Sequence, residues 1–303
     1  MKKILYLLIL LSAFSCTSDQ SAGKSSEKTV DNSLVRIETS IIDEMSEGNT
    51  LQKTVAYKIL ENRKLQVLMY IPGDLKPGEK RPSVTIFHSG GWFSGDYKNM
   101  KPYAQEFVDR GYITFSVQYR LARTDKLITI EECVKDAKSF LKWLYINEEA
   151  LQLDREKIIF SGFSAGGHLA AATLFIDEFN DEAGLEDIKP NGLILFSSAL
   201  NLDLDDWAKG LIREDQDIIA LSPSHRIKPT EAPTLILHGE QDEIASIDSI
   251  YDFQEEMEKA GNICELKTYD VNHGDLYKNK EIFQDSISES EQFLIRHGFN
   301  WQE

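Results

Sequence analysis

Residues 157–173 read KIIFSGFSAGGHLAAAT, and their interpretation decides the fold. Ile158, Ile159 and Phe160 form an unbroken apolar run, the pattern of a strand buried on both faces of a parallel sheet. Gly162, Phe163, Ser164, Ala165 and Gly166 follow at once and match the G-x-S-x-G nucleophile elbow. From Ala165 onward small residues and Leu169 favour a helix, so the stretch reads strand, sharp turn, helix. Glycines two before and two after the serine let strand and helix approach, while the turn holds the serine in a strained conformation. The Ser164 hydroxyl is then lifted above the sheet edge. The Ala165 N–H, at a helix N-terminus, faces the place where an oxyanion would form. Alone, the pentapeptide is equally compatible with a glycine-rich turn of no chemical consequence.

Around this stretch, apolar runs alternate with helical patterns. Residues 55–59 and 65–71 flank a polar turn and read as an antiparallel hairpin. SVTIFH (83–88) is the third strand and the first strongly buried one. A helix over 99–110 closed by Gly111 precedes the strand YITFSV (112–117). Thr129 with Glu132 forms a capping box opening a helix over 130–148, where Ile130, Val134, Ala137, Leu141 and Leu144 fall at helical spacing. Beyond the elbow come strands at 192–197 and 234–238, a helix at 246–260, a strand at 265–269 and a helix at 281–297. This alternation predicts an α/β fold: an eight-stranded, mostly parallel sheet with helices on both faces, in one domain over 34–303. The irregular, acidic stretch 200–233, with Trp207 and Leu211, is expected as a lid or as the wall of a substrate cleft.

Composition narrows the function classes. With 50 acidic against 33 basic side chains the chain carries a formal charge of −17, the opposite balance to a nucleic-acid binder. Lys2 and Lys3 precede an apolar segment at 4–14 too short to span a bilayer, followed by Ser15 and Cys16. Residues 1–16 therefore read as a signal peptide. The ending resembles a bacterial lipobox, with Ala13 and Phe14 in place of the usual Leu and small residue, which makes Cys16 the expected lipidated residue. Residues 17–33, rich in Ser, Lys, Asp and Thr, then form a flexible tether. The expectation is an exported, periplasmic or cell-surface protein that meets the membrane only through its N-terminal lipid, with a plain secretory signal (a secreted protein) or a short anchor as the alternatives. Cys133 and Cys264 fall in different elements and are expected as unpaired thiols. No cysteine/histidine spacing suggests a metal, and no cofactor is expected.

A nucleophilic serine needs a base, and the base an orienting acid. In such a sheet ligands bind at the carboxyl ends of strands, so each partner should follow a strand. Asp242 lies four residues after TLILH, and His273 four residues after the strand ending at Tyr269, followed by Gly274. His168, His225, His238 and His297 lack that combination, whereas Glu240, Glu243 and Asp248 are close competitors of Asp242. After SVTIFH come Ser89, Gly90, Gly91 and Trp92, where consecutive glycines let bare N–H groups face a reaction centre.

Taken together, H88-S-G-G-W92 with Gly95-Asp96, Y119-R-L-A122, G162-F-S-A-G-G-H168, His238-Gly239 with Asp242, and N272-H-G274 resemble the α/β-hydrolase superfamily. The resemblance is to its esterase/lipase branch, similar to hormone-sensitive-lipase-like and feruloyl/acetyl-xylan esterase-like enzymes, over residues 55–297. The order Ser164, Asp242, His273 is the one that superfamily uses. The resemblance implies oxyanion donors at Gly90, Gly91 and Ala165, with His88 bracing their loop. Ser89 stands where the family usually has glycine, and Arg123 and Ala245 where proline is common. No long helical N-terminal cap is evident, so an open-cleft esterase is expected. Its substrate would be a small-molecule or glycan ester of the acetyl or feruloyl kind, with Trp92 and Phe163 as pocket walls. Two alternatives stay open: a serine exopeptidase or amide hydrolase of the same fold, and a non-catalytic hydrolase-fold binding protein.

Overall fold

The computed structural model describes residues 33–44, 50–61, 63–122, 128–179, 188–212 and 216–301, all within one compact unit, Asp31–Glu303. The expected signal peptide with Cys16, the tether up to residue 32, and Arg123 lie outside the described residues.

Strands β1 (Leu51–Leu60), β2 (Arg63–Ile71), β3 (Arg81–Phe87), β4 (Ile113–Val117), β5 (Leu153–Phe163), β6 (Gly192–Phe196), β7 (Thr234–Gly239) and β8 (Cys264–Tyr269) form one eight-stranded sheet in the order β1-β2-β4-β3-β5-β6-β7-β8. The β1/β2 and β2/β4 pairs are antiparallel and the other five parallel. Every residue of β3, β4, β6 and β7 is buried, which is why these strands show no polar alternation in the sequence.

Two helical layers cover the sheet. Helices α1 (Lys101–Val108) and α5 (Lys280–Arg296) pack on the face that presents Val84, Ile86, Ile159 and Leu235. Helices α2 (Ile130–Ile146), α3 (Ala165–Phe175) and α4 (Ile247–Lys259) pack on the face of Phe87, Phe160, Leu195 and Ile236. From β3 the chain steps one way to β4, and from β5 the other way to β8. The carboxyl ends of β3 and β5 therefore meet at the point where the winding reverses, the place where such sheets bind ligands.

Some local expectations give way to stronger partners. Thr129 makes no side-chain cap to α2, and the capping box with Glu132 does not form. Glu132 is drawn instead to the Arg120 guanidinium and to Lys135 Nζ at 2.8 Å, because two cations attract a carboxylate more than one amide does. Ser33, expected as the last tether residue, already belongs to the fold, its carbonyl accepting from the Ile59 N–H at 2.7 Å. The hairpin is longer than the sequence suggests and begins at Leu51. Cys133, buried on α2, and Cys264, half-buried at the start of β8, are both free thiols.

Candidate active site

β5 ends at Phe163 and α3 begins at Ala165, so Ser164 alone makes the turn, with φ 57° and ψ −121°. For a residue with a Cβ this is strained backbone, and it persists because the neighbours over-determine it. The Ser164 N–H donates to Phe196 O at 2.9 Å, and its carbonyl accepts from His168 N at 3.1 Å.

The structure brings the three sequence-predicted residues together from elements far apart in the chain. Ser164 Oγ lies 3.0 Å from His273 Nε2, and His273 Nδ1 lies 2.7 Å from Asp242 Oδ2. A hydroxyl donates to Nε2 only when Nδ1 carries the ring proton, and that proton points at the carboxylate, so the tautomer is fixed by its partners. Asp242 is held from its other side, with Oδ1 accepting from the N–H groups of Ile244 and Ala245 at 2.9 Å each. Of its competitors, Glu240 turns to the Thr268 hydroxyl at 2.6 Å.

Two of the rival histidines, His168 and His238, are occupied elsewhere. His168 is fully buried between Trp92 and the stretch that follows β6. Its Nδ1 accepts from Trp92 Nε1 at 3.1 Å, and its Nε2 lies 2.8 Å from Leu221 O, to which it donates. Burial lowers its pKa to about 4, leaving a neutral ring that serves as a strut. His238 lies beneath the acid, with Nε2 donating to Ala245 O at 2.9 Å and passing 3.4 Å from Asp242 Oδ2, and burial holds its pKa below the usual histidine range.

The glycine loop after β3 is braced from several sides. The His88 ring stacks on Tyr119 at 4.2 Å, and its Nδ1 donates to Ser89 O at 2.7 Å. Tyr119 returns a hydrogen bond from its hydroxyl to His88 O at 2.9 Å, and Ala122 N donates to Trp92 O at 2.8 Å. Arg120 fastens this brace to α2 through both oxygens of buried Asp136 at 2.8 Å. The Y119-R-L-A122 motif is thus the scaffold of the loop. Gly91 has φ +60°, and a Cβ there would stand 2.4 Å from the Trp207 ring. Among the described residues no acceptor takes the N–H of Gly90, Gly91 or Ala165, as donors reserved for a substrate oxygen would require.

Trp92, expected as a pocket wall, is instead fully buried with a positive φ of 64°, hydrogen-bonded to His168 and stacked on Trp207 at 5.6 Å. Trp207 comes from the stretch expected as a lid or cleft wall, and its ring closes over the glycine loop. Phe163 does line a cavity, beside Tyr277.

Asp205 escaped the sequence reading because it sits in an acidic run with no motif around it. It is buried, with Oδ1 accepting from Ser246 N at 2.7 Å, so it ties the Trp207 segment to the loop after Asp242. Burial, with the Asp242 charge adding to it, pushes its pKa up to about 6. A carboxyl that ionises near 4 unfolded but near 6 folded costs stability progressively as pH rises between those values, and fully above them. Asp205→Asn keeps an acceptor for Ser246. It is expected to stabilise the fold at pH 8 by about 1–2 kcal/mol, with the gain gone by about pH 4. Thermal melts at both pH values check this, and a shift equal at both would refute it.

The BD-FAE family model matches residues 69–192. The apo form of esterase 2 from Thermogutta terrifontis superposes with a TM-score of 0.77 at 30% identity, over 83% of this chain and 97% of that one. Its butyrate-bound form gives 0.75 at 30% identity over 83% and 96%, and its form phosphonylated by sarin 0.76 at 30% over 83% and 97%. A non-reducing polyketide synthase of Preussia isomera is 30% identical over 175 residues, 55% of this chain but only 7% of the synthase. The chain belongs to the α/β-hydrolase superfamily, in its esterase branch.

Proposed function

We propose that the protein hydrolyses carboxylic esters through a covalent acyl-enzyme, and that short-acyl or carbohydrate-linked esters are its substrates. The observation that carries the mechanism is the continuous relay from Ser164 Oγ to His273 at 3.0 Å and from His273 to Asp242 at 2.7 Å. Ser164 Oγ bonds to the ester carbonyl carbon while its proton passes to His273 Nε2. The carbonyl oxygen becomes an oxyanion, received by the N–H groups of Gly90, Gly91 and Ala165. Asp242 stabilises the imidazolium and keeps its ring oriented. As the tetrahedral centre collapses, the bond to the alcohol oxygen breaks and Nε2 returns the proton to it. Water then repeats the sequence on the acyl-enzyme, with His273 as base. That the similar Thermogutta esterase is phosphonylated by sarin supports a covalent route here as well.

A fluorophosphonate probe is expected to label the protein one to one, with the added mass on the peptide containing Ser164. Short p-nitrophenyl esters should turn over far faster than aminoacyl anilides. Faster anilide cleavage would establish the exopeptidase reading, and absence of labelling would establish a non-catalytic protein.

A further inference from the structure

A cavity of about 310 Å³ opens beside the reaction centre on the side of α1 and α5, walled by Asn99, Met100, Tyr103, Phe163, Tyr277 and Phe283. Its connection to the chemistry is the Phe163 ring. That ring stands edge-on to the His273 imidazole at 5.4 Å and to Tyr277 at 5.2 Å, so one aromatic side chain separates the base from the cavity. On the far side Tyr103 and Phe283 meet edge to face at 4.9 Å. No acidic or basic side chain lines it among the described residues.

We infer that this cavity receives the alcohol half of the ester, and that the alcohol it fits is an uncharged, ring-sized group. The inference rests on the serine hydrolase reading above. The alcohol oxygen must come within hydrogen-bonding reach of Nε2 to be protonated as it leaves, so the alcohol starts beside the imidazole and continues over the adjoining surface. That surface is Phe163 and Tyr277, and it leads into the cavity. Walls of four aromatic rings favour a flat or ring-shaped group laid against them. The volume lies at the small end of the range for small-molecule sites, about 300–1,000 Å³, enough for one ring with its substituents but not a long chain. A charged alcohol would lose its hydration with no countercharge to meet it. Ser89, at the position where the family usually carries glycine, also lines the cavity and adds a hydroxyl at its edge.

The test uses esters that share an acetyl group, and so pass through one acetyl-enzyme, but differ in alcohol: methyl, cyclohexyl and phenyl acetate. Asn99→Trp fills the mouth from an exposed position, and Tyr277→Ala removes a half-exposed wall. Relative to the parent, Asn99→Trp is expected to lower kcat/KM for phenyl and cyclohexyl acetate about tenfold more than for methyl acetate, and Tyr277→Ala several-fold more. Hydrolysis of the acetyl-enzyme should be unchanged in both. If the variants instead alter deacylation and the preference among acyl chain lengths, the cavity holds the acyl half and the assignment is wrong. Ratios within about twofold of the parent in both variants would also overturn it. Ser164→Ala run alongside separates the two levels. Residual turnover there removes the hydrolase reading, while a dead Ser164→Ala with unmoved ratios removes only the cavity's role.

Discussion

His273→Ala is expected to lower kcat by at least about a thousandfold while the protein still melts cooperatively near the parent temperature. The loss is large because, among the described residues, Ser164 Oγ has no second proton acceptor to turn to. His168 is sealed by Trp92 and Leu221, and the His238 Nε2 proton is committed to Ala245 O at 2.9 Å. Stability should change little, since the His273 side chain is partly exposed and Asp242 keeps its two backbone donors at 2.9 Å. Residues that act as one relay do not contribute additively, so adding Ser164→Ala to His273→Ala should cost little beyond the single change. Stopped assays of a short p-nitrophenyl ester, with melts of both variants, decide the matter. Near-parental turnover in His273→Ala would mean another group serves as base.

The outcome for Trp92 shows where the sequence is legible and where it is not. Strands and helices announce themselves by period and by burial on both faces, which are properties of a few consecutive residues. The eight strands and the mostly parallel character of their sheet could therefore be anticipated. The same holds for Ser164, Asp242 and His273, because each follows a strand and the sheet fixes where strand ends gather. Trp92 was expected beside substrate, yet its indole N–H is spent on His168, 76 residues away. No local pattern encodes that pairing. Asp205 illustrates the same limit from the other side: its burial depends on Ser246 and Asp242 being folded onto it, and in the sequence it is one acid among several. Thr129 and Glu132 had the correct spacing for a capping box, but Arg120 arrives from the end of β4 and outbids the amide. In each case a residue distant in the chain decides the outcome. What the local pattern lacked was the identity of that residue.

Gly166→Ala is expected to be among the most damaging single-carbon additions outside the relay. The cause is contact, since the residue is helical and its backbone is unstrained. A Cβ on Gly166 would stand 2.1 Å from Phe87 O, 2.6 Å from the Phe87 carbonyl carbon and 2.8 Å from His88 O, all backbone atoms. Phe87 cannot retreat, because it is paired with Val117 on one side and Gly162 on the other. Either α3 or the end of β3 must move by about 1 Å, and overpacking of this kind costs about 3 kcal/mol or more. The thermal midpoint should fall by roughly 5–10 °C. Turnover should fall further than stability implies, because the displaced atoms lead directly into Ser89-Gly90-Gly91 on one side and follow Ala165 on the other. Misplacing even one oxyanion donor costs about a hundredfold or more. Gly261→Ala is the control: there φ is +77° with no atom within 4 Å of the added carbon, so only backbone strain of about 1 kcal/mol is expected and the active site is untouched. A Gly166→Ala protein with parental stability and turnover would show that elbow and glycine loop are not in contact, and the shared donors at Gly90, Gly91 and Ala165 would lose their geometric basis.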